Sequence, residues 1–461
     1  MTVEQIYTGC LAQGAYYVES KGEAAIVDPL RETRPYMDRL SRDGAQLKYI
    51  FETHFHADFV SGHVTLSELT GAPIVYGPSA NPSFEAIIAQ DGQEFTVGDI
   101  TIKALHTPGH TMESTTYLLK DAEGRDYCIF SGDTLFLGDV GRPDLAQKAA
   151  NLTQEELAGT LFDSLRTKIM PLADNVIVYP AHGAGSACGK NMMKETVDTL
   201  GNQKQVNYAL RSDMTRDEFI KEVTDGLQPP PAYFPLNVKL NKEGYDAIDR
   251  VVDRGKTALN PDAFEQLANE TGAVVLDVRH QSDFIRGHVP RSLFIGLGGS
   301  FAPWVGALIA DVQQPILLIA PEGKEEEAVT RLSRVGFDQT LGYLKGGIQS
   351  WYEAGKEIDT LTSISAETLK DQMAEGAAIF DVRNNTEFSN GHVPNAIHTP
   401  LSFISDYMSA YPESDNAYIH CAGGYRSVIA ASILKSRGIH NVVDVAGGFA
   451  AMKAAGIEIT A

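Results

Sequence analysis

The feature that most restricts the fold is a duplication in the second half of the chain. Val275-Leu276-Asp277-Val278-Arg279, then Gly287-His288-Val289-Pro290, returns 104 residues later as Ile379-Phe380-Asp381-Val382-Arg383 and Gly391-His392-Val393-Pro394. Further on, Gly346-Gly347-Ile348 and Ala354-Gly355 return 101 residues later as Gly447-Gly448-Phe449 and Ala455-Gly456. A period of about 100 residues is too long for a solenoid and suits tandem domains. Each copy alternates apolar runs (Pro315 to Ala320, Ala417 to His420) with helical patterns (Ser427 to Leu434), which predicts a parallel α/β sheet. The expected boundaries are 259–360 and 361–461.

The 461-residue chain has room for a third domain in its first half, placed at 1–245. Lys48 to Phe51, Tyr127 to Phe130 and Val176 to Tyr179 read as strands. Each is followed at once by polar or Gly-rich residues, the position where α/β proteins gather functional side chains. The Pro229-Pro230-Pro231 run marks an extended segment. With 38 Lys+Arg against 60 Asp+Glu, the net charge of −22 argues against nucleic acid and anionic membranes as partners. The N-terminus lacks a signal-peptide pattern, and no apolar run is long enough to span a membrane. Four scattered cysteines, Cys10, Cys128, Cys188 and Cys421, form no disulfide framework, so a cytoplasmic setting is expected.

Thr53-His54-Phe55-His56-Ala57-Asp58 collects imidazoles and a carboxylate beyond a strand, donors suited to zinc or iron. Thr107-Pro108-Gly109-His110, Ser131-Gly132-Asp133 and Pro180-Ala181-His182 follow in order. This ordered set resembles the metallo-β-lactamase fold, which implies an αββα sandwich with metal at the strand ends. Dinuclear hydrolases of that fold, such as glyoxalase II, carry a second-metal His where this chain has Phe59. A single metal is therefore favoured. The resemblance to persulfide dioxygenases of the fold implies one Fe(2+) per chain, held by His54, His110 and Asp133. His56, Asp58 and His182 would then orient ligands and a bound water; if His56 also ligates, the site moves toward zinc and hydrolysis. Gly138 to Asp144 resembles a segment of the same enzymes, with Arg142 either holding a substrate carboxylate or paired internally with Asp144. Cys188 and Lys190 lie in a Gly-rich stretch near the same rim, where Cys188 either relays sulfur, gates the site or simply packs.

Ile419-His420-Cys421-Ala422-Gly423-Gly424-Tyr425-Arg426-Ser427 runs from a strand through a tight loop into a helix. Backbone N–H groups and the helix start stabilise a thiolate or persulfide there, and Arg426 is expected to add a cation. The loop resembles the rhodanese family. Only four residues separate Cys421 from Arg426, one fewer than in Cys-x₅-Arg phosphatases, so sulfane sulfur fits better than phosphate. In the first copy, Pro321 is aligned opposite Cys421, Glu326 opposite Arg426 and Glu327 opposite Ser427, which predicts a catalytically inactive domain.

Together these resemblances are to bacterial persulfide dioxygenase–rhodanese fusions. They imply an α/β enzyme of sulfide detoxification, a homo-oligomer, that oxidises a low-molecular-weight persulfide with O₂ to sulfite. Cys421 would pass sulfane sulfur to sulfite, giving thiosulfate. The rival readings are a glyoxalase II-like thioester hydrolase with a separate rhodanese activity, and a sulfide-responsive binding protein. Phe59 weighs against the first and the intact Cys421 loop against the second.

Overall fold

A computed structural model describes residues 1–227 and 229–460. The chain divides into two compact units: 1–248 with Ser333–Gly336, and 249–332 with 337–461. Among the described residues no helix is long and apolar enough to cross a membrane.

The first unit is an αββα sandwich of two six-stranded sheets. One sheet runs in chain order from Thr2–Thr8 to Ile87–Ile88, antiparallel at first and parallel from Glu23–Val27 onward. Alternation along Glu23–Val27 explains the layering. Ala25 and Val27 face the second sheet, where Val18 and Phe51 meet Ile102, Tyr117 and Phe130. Ala24 and Ile26 face the opposite way, under Tyr36 and Leu40 of helix Arg34–Asp43 and Leu66 of helix His63–Thr70. Burial on both faces is why Ala24 to Val27 are all apolar. The outer face of the second sheet is covered by Leu157 to Leu161 of helix Gln154–Ser164, whose start is fixed by a Thr153–Glu156 capping box.

The second unit holds two five-stranded parallel sheets of identical order. They are Ala258–Leu259, Thr340–Leu344, Ile316–Ile319, Val274–Asp277, Leu293–Phe294, and Thr362–Ile364, Val442–Val445, Ala417–His420, Ala378–Asp381, Ile397–His398. The repeated motifs that expose the duplication turn out to be internal staples. Arg383 forks onto Asp381 and donates to the Gly391 carbonyl at 2.8 Å; Arg279 does the same with Asp277 and the Gly287 carbonyl, also at 2.8 Å. His392 and His288 stack on Phe388 and Phe284, with centroids 3.9 and 3.8 Å apart. Removing one member of such a buried pair leaves an uncompensated charge costing about 3–5 kcal/mol, which accounts for the motif being present in a copy that has no loop cysteine.

Strand register corrects one sequence alignment. Asp277 pairs with Ile319, and Asp381 pairs with His420. Ala320 rather than Pro321 therefore occupies the Cys421 station, and Gly323 (φ +77°) matches Gly424 (φ +96°). The helices open at Glu325 and Tyr425, so Glu326 and Glu327 stand opposite Arg426 and Ser427, as the sequence suggests. The loop between strand and helix is one residue longer in the first copy, 320–324 against 421–424, and such an insertion carries no local sequence signal. The turn is retained, but the nucleophile is gone and the helix opens on Glu325, Glu326 and Glu327. A thiol restored here would precede a helix whose first turn is acidic. Ala320→Cys in a Cys421→Ser background should show less than about 1% of the native thiosulfate:cyanide sulfurtransferase rate. A rate near native would mean that the acidic helix start does not silence the copy.

Candidate functional site

The first unit brings its titratable side chains to one end of the sandwich. His54 follows strand Gln46–Phe51, Asp133 follows Asp126–Gly132, His182 follows Ile177–Pro180, and His110 sits in the loop after Ile100–His106. His54, His110 and Asp133 converge, with one donor atom of each within 4.8 Å of the others and all three buried. The imidazoles are aimed by their other nitrogens. His54 Nδ1 is 3.0 Å from Thr53 Oγ1, and His110 Nδ1 is 2.9 Å from the Arg142 carbonyl oxygen. That leaves His54 Nε2 and His110 Nε2 facing Asp133 Oδ2 at 3.8 and 3.4 Å. Asp133 Oδ2 is buried without a hydrogen-bond donor, the state of a carboxylate oxygen arranged for a cation.

The other Asp133 oxygen is held by His182, whose Nδ1 lies 2.8 Å from Oδ1; His182 Nε2 lies 2.8 Å from Asp58 Oδ2. Burial opposes a charge on His182, but Asp133 and Asp58 on either side raise its pKa well above the ordinary histidine value. Burial likewise acts to raise Asp133, and His182, His54 and His110 overcome it, holding the carboxyl far below its usual range. Burial, with His56 beside it, pushes His54 well down, so its imidazole is neutral and free to ligate.

His56 points away from this cluster. Its Nε2 is 3.1 Å from Asp28 Oδ1 and 3.5 Å from Glu52 Oε2, and its ring packs on Phe59 with centroids 4.3 Å apart. Asp28 also accepts from the Thr53 N–H at 2.7 Å and from Thr53 Oγ1 at 2.9 Å, so it braces the loop that carries His54. Sequence reading missed Asp28 and Glu52. Asp28 follows an apolar strand just as the recognised histidines do, and that signal was available.

Three further sequence expectations meet different surroundings. Arg142 is forked onto Asp144 at 2.6 and 2.7 Å, which realises the internal pair rather than a free substrate clamp; its backbone carbonyl is what positions His110. Lys190 donates to the Glu222 and Asp225 carbonyls at 2.6 and 3.0 Å, at the end of helix Arg216–Thr224, so its ammonium is engaged there. Cys188 is buried in a second cluster with Asp58 and His182; burial, with Asp58 and Asp133 nearby, pushes its thiol well above the usual range. That suits a packed thiol better than a nucleophile.

In the second unit Cys421 is buried at the end of strand Ala417–His420. The Gly424 N–H donates to its sulfur at 3.1 Å, and Ser427 Oγ lies 3.6 Å away. Ser427 in turn donates to Asp444 at 2.7 Å, a contact absent from the sequence reading. Arg426 departs from expectation: its guanidinium forks onto Glu387, both contacts at 2.7 Å, so its charge is already matched. The sulfur is served directly by backbone N–H. Ala422, Gly423, Tyr425 and Arg426 line a cavity with Cys421.

The metallo-β-lactamase superfamily profile matches residues 8–182, and the rhodanese-like domain profile matches 260–354 and 365–455. A solved metallo-β-lactamase structure from Staphylococcus aureus subsp. aureus COL is 30% identical, covering 75% of this chain and 98% of that one with a TM-score of 0.66. The mitochondrial persulfide dioxygenase of Homo sapiens is 29% identical over 221 residues, 48% of this chain and 78% of its own length. A hydroxyacylglutathione hydrolase of Tolumonas auensis is 33% identical over 171 residues, 36% of this chain and 60% of its own length.

Gly141 gives the cluster a sharp test. A Cβ there would lie 2.1 Å from the Asp133 carbonyl oxygen and 2.9 Å from His110 Nδ1. Backbone cannot yield that far without parting the two. Gly141→Ala should reduce tightly bound metal, measured by elemental analysis after anaerobic purification, by about 10–100-fold in affinity, as for other losses of ligand support. Native metal content in this variant would show that the loop does not hold the cluster together.

Proposed function

Because the chain belongs to the metallo-β-lactamase superfamily and carries two rhodanese-like domains behind that fold, we propose that it oxidises a low-molecular-weight persulfide at one iron and moves sulfane sulfur on Cys421. It is an enzyme with dioxygenase and sulfurtransferase activities. The observation that carries the reading is the convergence of two anchored imidazoles on the donor-free Asp133 Oδ2, with His56 turned away. Two histidines and one carboxylate fit a single metal ion and leave coordination positions open. Iron(II), when bound, supplies sites for persulfide sulfur and O₂ and a route for electrons between them.

The chain's own groups do the positioning. Thr53 and the Arg142 carbonyl fix the two imidazoles, and the His182–Asp58 pair keeps Asp133 ionised and oriented. Phe59, fully buried against His56, keeps a second imidazole out of the position that dinuclear hydrolases fill. The net oxidation is RSSH + O₂ + H₂O → RSH + SO₃²⁻ + 2H⁺. At the second site the Cys421 thiolate attacks the terminal sulfur of RSSH. The S–S bond to the carrier breaks, RS⁻ leaves, and Cys421 holds S–SH. Sulfite then attacks that outer sulfur, releasing hydrogen thiosulfate and the thiolate. The Gly424 N–H supports the negative sulfur in each state.

The hydrolase similarity keeps a thioesterase as the alternative reading, and the same experiment separates the two. Cys421→Ser should retain persulfide-dependent O₂ uptake while the product shifts from thiosulfate to sulfite. His110→Ala should lose O₂ uptake yet keep sulfur exchange between thiosulfate and cyanide. Loss of O₂ uptake in folded, metal-loaded Cys421→Ser would contradict independent sites. Thioester hydrolysis without O₂ uptake in the native protein would favour the hydrolase.

A further inference from the structure

An open cavity of about 460 Å³ lies over Cys421, and it is not built by the active copy alone. His280, Gln281, Ser300 and Trp304 of the silent copy stand across it from Cys421 and Arg426. Nearby, the silent copy is joined to the active loop's own helix. The Tyr425 hydroxyl donates to the Gly296 carbonyl at 2.7 Å, the Phe294 N–H donates to Ser432 Oγ at 3.0 Å, and Lys435 pairs with Asp359 at 2.9 Å. A second cavity of about 350 Å³ shares His280, Gln281, Gly298 and Tyr425 and continues over Pro321 and Lys324, the loop that follows Ala320.

We infer that the silent copy is the carrier-binding half of the Cys421 site, and that Trp304 sets its preference for an organic persulfide over an inorganic sulfur donor. This rests on Cys421 being the sulfur acceptor. Size is the first argument: thiosulfate is a five-atom anion, whereas a cavity of this volume lies in the range that takes organic ligands. Chemistry is the second. A Trp face, a Gln amide and an imidazole suit the amide planes and polar ends of a peptide-like thiol. Cationic complementarity to a small free anion is weak, since Arg426 is already forked onto Glu387. The inactive copy is then retained for the surface it presents, not for chemistry.

The test uses the full chain without O₂, so that the metal centre consumes no persulfide. Thiocyanate formation from cyanide is measured with glutathione persulfide and with thiosulfate as donors, and the Cys421→Ser rate is subtracted as background. Trp304→Ala should lower the ratio of kcat/KM for glutathione persulfide over thiosulfate by about tenfold or more, through the persulfide KM. Ser300→Trp should do the same by narrowing the cavity; Ser300 is exposed and its hydroxyl caps no helix bond, so this variant keeps the test valid if Trp304→Ala misfolds. A ratio equal to native in a folded variant overturns the inference. Failure of the native chain to turn over either donor would overturn the Cys421 assignment itself, and this inference with it.

Discussion

The first unit depends on one carboxylate serving two partners. Asp133 gives Oδ1 to His182 and leaves Oδ2 facing His54 and His110. Burial of a carboxylate is costly, and the surrounding imidazoles outweigh that cost for the charge but leave Oδ2 without a hydrogen-bond donor. A cation completes the arrangement. The remaining structure follows from holding this group still. Sandwich strands end at the same edge, Thr53 and the Arg142 carbonyl aim the imidazoles, and Gly141 passes close enough to lock Asp133 and His110 together.

The fold and the cluster were largely legible in the sequence because both rest on local pattern. Apolar runs followed by His or Asp mark strand ends, and the Asp277 and Asp381 motifs mark the duplication. What escaped depends on side-chain direction. No spacing rule says that His56 turns toward Asp28 and Glu52, or that Arg142, Arg426 and Lys190 spend their charge on Asp144, Glu387 and backbone carbonyls. A long cationic side chain takes the nearest acceptor the fold supplies, and that acceptor is two residues away for Arg142 but thirty-nine away for Arg426. The strand end of the silent copy is shifted by a single residue for a related reason: register is set by strand pairing, here the four pairs from Val274–Ile316 to Asp277–Ile319.

The two rhodanese-like copies illustrate how a duplicated domain keeps its frame while losing its chemistry. The Asp–Arg–Gly staple and the His–Phe stack are intact in both, since each stabilises packing. The anion cradle survives only around Cys421, where Gly424 donates to sulfur and Ser427 is tied to Asp444. Side chains of both copies line the cavity over Cys421.

The central claim is a mononuclear centre made of two imidazoles and the Asp133 carboxylate, with Cys188 outside it. Iron K-edge X-ray absorption on anaerobically loaded protein tests this most directly. The account predicts one iron per chain, a first shell of nitrogen and oxygen only, and no metal–metal vector. A sulfur scatterer in the resting protein, or a second metal within bridging distance across Asp133, would contradict it.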